Sequence, residues 1–196
     1  MTAAQWDARY RESPDLWTQE PNAELAQFAA GLKPGRALDV GAGDGRNAIW
    51  LATQGWAVTA IDLSTVALER AAERAAGRSA QRECIVADWH EHDFGVSAFE
   101  LVVVSFMHPA PDERDALFER VTRALVPGGH VCTVGVVLAD HGRRGPPDAK
   151  RLYTVDRVRH ALHGFEVLRC EEHAYEQEHG SGRREVTDVV AVGRRP

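Results

Sequence analysis

Three aspartates, Asp39, Asp62 and Asp88, stand at or just beyond the ends of three short apolar runs. The first lies in Ala37-Leu38-Asp39-Val40 and is followed by glycines at 41, 43 and 45, then by an amphipathic stretch over 47–54. A strand, a tight turn and a helix start, in that order, lay a nucleotide-like ligand across the edge of a sheet. Glycine is needed because the backbone turns through conformations closed to other residues, and because a Cβ would hold the ligand away. Asp62 falls 19 residues beyond Gly43, where an acidic side chain takes both ribose hydroxyls. A carboxylate offers two acceptor oxygens to a vicinal diol. Asp88-Trp89 suits adenine, with the carboxylate accepting from the exocyclic amine and the indole packing on the ring.

Side chains so placed need a parallel sheet behind them. From Arg36 onward strand and helix patterns alternate, as an α/β sheet demands. Strands are expected over 37–40, 57–61, 84–87, 100–105 and 130–137, and two more over 165–170 and 186–192, joined through Gly180-Ser181-Gly182 as an antiparallel pair. Helices are expected over 23–30 behind an Asn22 cap, over 47–54, from Ser64 to about 76, over 111–125 and over 154–162. Pro127-Gly128-Gly129 reads as a turn, and 139–150, rich in Gly, Pro and charge, as a long surface loop. Residues 1–35 form an arm carrying Trp6, Tyr10 and Trp17, which either pin it to the domain at 36–196 or roof the ligand site.

With 196 residues and no apolar run near the roughly 20 that a membrane span needs, one soluble, cytoplasmic domain is expected, as a monomer or homodimer. A net charge of −6 counts against nucleic acid or an anionic membrane as partner. Cys84, Cys132 and Cys170 are far apart and odd in number, so reduced, buried thiols are expected. The run Asp88-Trp89-His90-Glu91-His92-Asp93 has donors for a metal, but on one loop it would need further ligands, and no metal is expected.

The glycine spacing chooses among ligands. A dinucleotide site has Gly-x-Gly-x-x-Gly; here the third glycine comes one residue early and Asp44 precedes it. Asp39 and Asp44 would repel a pyrophosphate, whereas a ligand with a positive head suits them. Asp39-Val-Gly-Ala-Gly-Asp-Gly45, Asp62, Asp88 and Leu125-Val-Pro-Gly-Gly129 together resemble the class I S-adenosylmethionine-dependent methyltransferases. The resemblance implies a Rossmann-like, seven-stranded sheet of order 3-2-1-4-5-7-6 with strand 7 antiparallel and helices on both faces. It implies that Asp39 and the backbone of Gly41, Ala42 and Gly43 serve the methionine end of S-adenosylmethionine, Asp62 the ribose, and Asp88 and Trp89 the adenine, with Arg46 and Leu63 also at the cofactor. Ser105 and Phe106 then line the methyl-transfer face, and S-adenosylhomocysteine is the product. Gly45-Arg46-Asn47, Leu51-Ala-x-x-Gly55-Trp56-x-Val58 and the aromatic arm further resemble the small tellurite-resistance and thiopurine-type enzymes. In those, an aromatic near the place of Trp17 closes over the cofactor.

The acceptor is then a small molecule, a thiol or chalcogen anion or else a phenol or amine. A soft anion needs little beyond alignment and exclusion of water. A neutral alcohol, phenol or amine needs a base, for which His108 is the candidate, while Trp6, Tyr10 and Phe106 are candidates to contact the acceptor. Two other readings share the βαβ unit: an NAD(P)-dependent oxidoreductase, and a protein that binds S-adenosylmethionine without transferring its methyl group.

Overall fold

The computed structural model describes all residues except 14–15, 77–81 and 180–181, so the middle of the Gly180-Ser181-Gly182 connection lies outside it. The elements are α1 (Ala3–Glu12), α2 (Ala23–Ala29), β1 (Arg36–Val40), α3 (Arg46–Thr53), β2 (Ala57–Asp62), α4 (Thr65–Arg74), β3 (Arg82–Val86), β4 (Phe99–Ser105), α5 (Pro111–Ala124), β5 (Leu125–Val136), α6 (Val155–Ala161), β6 (Glu166–His179) and β7 (Gly182–Arg194). The strands form one sheet of order β3-β2-β1-β4-β5-β7-β6, with β7 antiparallel to both its neighbours. This is the architecture the motifs imply.

Residue alternation along the strands divides the core in two. Leu38, Val40, Val102, Val104 and Val131 face one side, with Leu117, Phe118 and Val158 from α5 and α6. Ala37, Ala60, Leu101, Val103, Cys132 and Val192 face the other, under Leu25 of α2 and Ala48, Leu51 and Ala52 of α3. Asp39 shares the second side because it lies two residues beyond Ala37, and Ser105 because it lies two beyond Val103. Both therefore come to the carboxyl edge of the sheet beneath the start of α3, where open α/β sheets bind ligands.

Two sequence expectations need correction. Pro127-Gly128-Gly129 is not a turn before β5 but part of it: the β4–β5 register jumps from Phe99↔Leu125 to Leu101↔His130, so the extra residues are absorbed as a bulge. Gly128, at φ 79°, and Gly129, whose Cβ would meet Val126 O at 2.9 Å, explain why glycine is used there. The segment 139–150 is the surface loop expected, without a helix or strand past residue 140. It opens with a 3-10 turn, Leu138–Asp140, whose buried Asp140 accepts from Arg143 and Arg144. The last two strands are much longer than 165–170 and 186–192, pairing from Glu166↔Arg194 outward to His179↔Gly182. Of the cysteines, all free, Cys132 is buried while Cys84 and Cys170 are half-buried.

The arm is tied to the domain by polar contacts as well as apolar ones. Asp7 Oδ1 accepts from Ser64 Oγ at 2.6 Å and from the Val66 amide at 3.2 Å, while Ser64 Oγ caps α4 through the Ala67 amide. Asp7 thus supplements the N-cap of α4 with an acceptor from another element, and its carboxyl is held below its usual range by the Ser64 hydroxyl, against some desolvation. Asp7→Ala is expected to release α1. Limited proteolysis should then cleave within the first 21 residues several-fold faster than in the wild type; an unchanged rate would show that the aromatic contacts alone hold the arm.

Candidate active site

The turn after β1 is built from left-handed glycines: φ is 69° at Gly41, 57° at Gly43 and 82° at Gly45. Only glycine takes these angles without strain. The amides of Gly41 and Ala42 both donate to Ile61 O, at 2.9 and 3.0 Å, which pins the turn to the end of β2. Space is equally restrictive: a Cβ on Gly41 would meet Met107 Cγ at 2.6 Å, and one on Gly43 would meet Tyr10 Oη at 2.6 Å.

The three aspartates at the strand ends are in three different states. Asp39 is 1% exposed, and its Oδ2 has no hydrogen-bond partner. Burial pushes its carboxyl up to about 7, with Arg46 working against the rise. Asp62 accepts from the Gly43 amide on Oδ2 and from the Ser64 amide on Oδ1, both at 2.8 Å. Burial raises its carboxyl too, opposed by the amides of Ser64, Gly43 and Leu63. Three amides do not fill the four lone-pair sites of a carboxylate, so it is oriented without being exhausted. Asp88 is more open; desolvation opposes the charge, but the His90 amide and ring prevail and hold the carboxyl low. Trp89 is buried in the main core and stacked on His90, with ring centres 3.7 Å apart.

Asp44 corrects an argument made above. Its carboxylate does not face the ligand side of the turn: it is buried and ion-paired with Arg74 of α4, Nη1 to Oδ2 2.5 Å, off the hydrogen-bonding axis. The repulsion of a diphosphate therefore rests on Asp39.

A second layer comes from the arm and from the end of β4. Tyr10 is 3% exposed and its hydroxyl accepts from Trp17 Nε1 at 3.1 Å; burial, then Asp62, drive its pKa upward. Arg9 stands over both Trp6 and Trp17, 5.4 and 5.8 Å from the ring centres, so the three aromatics form one assembly above Gly43. Arg46 joins this roof to the turn, donating to Thr18 Oγ1 at 2.9 Å and lying 5.4 Å from the Phe106 ring centre. Ser105 Oγ is buried without a partner. Phe106 has φ 55°, a strained angle for an aromatic residue, held by its amide donating to Val134 O at 2.7 Å.

His108 is committed elsewhere. Its Nε2 accepts from the Val136 amide at 3.0 Å and its ring packs against Tyr153. Burial pushes its pKa down to about 4; a hydrogen bond to Phe106 O works against this, and Arg114, Arg144 and Arg151 add to it. That arrangement leaves no lone pair for a proton from a substrate. Sequence reasoning missed Met107, whose carbonyl accepts from the Tyr153 hydroxyl at 2.7 Å. It also missed the chain Tyr175 Oη to Asp188 Oδ2 at 2.7 Å and Arg144 Nη2 to Asp188 Oδ1 at 2.8 Å. Asp188 was detectable: it occupies the same alternation phase as Val186, Val190 and Val192, a carboxylate aimed inward.

The residues fit a cationic, adenosine-bearing ligand. Asp39 Oδ2 is a buried acceptor waiting for a donor, and the glycine turn leaves a cradle that a Cβ would fill. A family model described as a methyltransferase domain matches residues 37–129, from β1 to the bulge of β5. Thiocyanate methyltransferase 1 of Brassica oleracea is 27% identical over 178 residues, covering 87% of this chain and 77% of that one. In motif, fold and sequence the chain is similar to the class I S-adenosylmethionine-dependent methyltransferases. Among solved structures, one described as "Conversion of a Disulfide Bond into a Thioacetal Group during Echinomycin Biosynthesis" superposes with a TM-score of 0.79 at 27% identity, covering 99% of this chain and 93% of its own. The N-methyltransferase NodS of Bradyrhizobium japonicum WM9, in complex with S-adenosylhomocysteine, shares the fold at a TM-score of 0.76 and 16% identity, each chain wholly covered. S-adenosylmethionine is the cofactor. Among the described residues, no cluster of His, Cys, Asp or Glu is set to hold a metal, and no helix is long and apolar enough to cross a membrane.

Proposed function

We propose that this enzyme methylates a small, soft nucleophile that is already anionic, a thiol or other sulfur anion, without a general base. The observation that carries this is His108: its lone pair is occupied by the Val136 amide and its pKa is depressed to about 4. The hydroxyls of Tyr153 and Tyr175 are likewise spent as donors, to Met107 O and Asp188. The donor supplies an electrophilic methyl on a sulfonium, so the chain has to align the partners and keep water out. Asp39, Gly41, Ala42, Gly43 and Arg46 hold the methionine end, Asp62 and the Leu63 backbone the ribose, and Asp88 the adenine, while the Trp89 indole, buried and stacked on His90, supports that loop instead of packing on the ring as expected. Residues 1–35 form the cover over this site, with Trp17 above it and Trp6 and Tyr10 on the acceptor side. Ser105 and Phe106 line the transfer face. The thiocyanate methyltransferase and the thioacetal-forming neighbour, both of which work on sulfur, support the same acceptor class.

The test is turnover of S-adenosylmethionine with thiocyanate, bisulfide and a small thiol, beside a phenol and an amine, in the wild type and His108→Asn. Sulfur acceptors should be methylated. The variant should retain kcat within about tenfold, because loss of a true base costs ~10²–10⁴. The pH profile with a thiol should follow the thiol's own ionisation. Preferred turnover of a phenol or amine, with kcat falling by the larger factor in His108→Asn, would reverse the proposal.

A further inference from the structure

The end of β3 holds a cluster that the methyl-transfer face does not explain. Asp88 Oδ1 accepts twice from one residue, from the His90 amide at 2.9 Å and from His90 Nδ1 at 2.6 Å, leaving Oδ2 outside both contacts. The other ring nitrogen, Nε2, faces Glu113 Oε1 at 3.4 Å. Glu113 in turn accepts from the Ala110 amide through Oε2 at 2.7 Å, closing the first turn of α5. The imidazole is stacked as well as bonded, lying on the buried Trp89, while Arg120 donates to His90 O at 3.1 Å.

We propose that His90 is a positioning residue for the adenine end of the donor, fixing Asp88 in the rotamer that accepts from the exocyclic amine and linking it to the start of α5. This rests on the assignment of Asp88 to adenine made above. The physical need is plain. Asp88 and His90 have side chains 36% and 46% exposed, and an unrestrained aspartate on such a loop would explore several rotamers. Two contacts on Oδ1 remove that freedom before the ligand arrives, which is preorganisation. They also keep the carboxylate ionised and therefore acceptor-only, matched to an amine and opposed to a carbonyl. Through Glu113, the same imidazole reaches Ala110, which closes the segment running from Ser105 along the transfer face.

The experiment is calorimetric titration with S-adenosylhomocysteine and with S-inosylhomocysteine, in which a carbonyl replaces the exocyclic amine. The wild type should prefer the adenosyl compound by about tenfold or more, the usual worth of a hydrogen bond to a charged group. In His90→Ala the preference should fall to about twofold, mostly through weaker adenosyl binding. His90→Asn, which keeps a donor near the place of Nδ1, should restore most of it. His90→Gln, which reaches toward Glu113 instead, should not, and it gives the same reading if the alanine variant does not fold. General loosening of the loop would weaken both ligands alike and leave their ratio unchanged. An unchanged ratio in His90→Ala with Asp88→Ala abolishing the preference overturns the role of His90 alone. An unchanged ratio in Asp88→Ala overturns the adenine assignment beneath it.

Discussion

Asp39→Asn should raise the melting temperature of the ligand-free protein at pH 8 and remove the further rise that S-adenosylhomocysteine gives the wild type. The carboxyl of Asp39 is wholly buried with one oxygen unpartnered, and burial pushes its pKa from 3.8 to about 7. Between those values the folded chain holds a proton that the unfolded chain has released, so stability declines as pH rises through that window. Above about 7 the full penalty is present, on the order of 2–4 kcal/mol. A neutral amide of the same shape avoids it. The advantage of the variant should therefore grow from pH 4 to pH 7 and then level off. The same substitution withdraws the negative charge that a cationic ligand head requires, so the ligand-dependent rise should vanish. Melting curves with and without S-adenosylhomocysteine across that pH range decide the matter. A variant still stabilised by the ligand to the wild-type extent would show that Asp39 is a buried structural acid and nothing more.

Gly43→Ala should weaken S-adenosylhomocysteine binding by about tenfold to a hundredfold, and adding Tyr10→Phe should recover a large part of that loss. The residue sits at φ 57°, which costs a non-glycine on the order of 1 kcal/mol. Steric conflict adds to this: the new Cβ would lie 2.6 Å from Tyr10 Oη but 3.7 Å from Tyr10 Cζ. Deleting the hydroxyl turns a collision into ordinary contact. Only the backbone strain is then left, together with the hydrogen bond lost from Trp17 Nε1. Titration calorimetry on the two single variants and the double variant separates the terms. If the double variant binds no better than Gly43→Ala, Tyr10 does not roof the turn in the ligand-bound state.

Much of this was legible in the residues. The apolar runs, their breaks and the acidic residues at their ends place five parallel strands and three aspartates correctly, because strand period and helix caps are local properties of the chain. Ser64 caps α4 and Asn22 caps α2, as their types and positions demand. What misled the reading was a side chain's direction. Asp44 follows a left-handed glycine, and its partner Arg74 lies a helix, a strand and a second helix away, so nothing near it in sequence shows that it turns toward α4 instead of the ligand. His108 is the same kind of case: a histidine after an inward strand suits a base until the Val136 amide of β5 closes on its Nε2. The bulge at Pro127-Gly128-Gly129 keeps the appearance of a turn because its glycines serve either purpose, and only the pairing of β4 with β5 distinguishes them.

The chain by itself determined the strands, the glycine turn and the carboxylates at the strand ends, since these follow from periodicity and glycine spacing; the order of the sheet came from the family resemblance that those motifs carry. Tertiary structure decided which of those groups retain a vacant lone pair. Asp39 keeps one because no donor is packed against its Oδ2; Asp44 is paired, and His108 has lost its own, because Arg74 and the Val136 amide are brought against them by folding. A side chain's type states what it is able to do, whereas its availability depends on neighbours that only the packed sheet supplies.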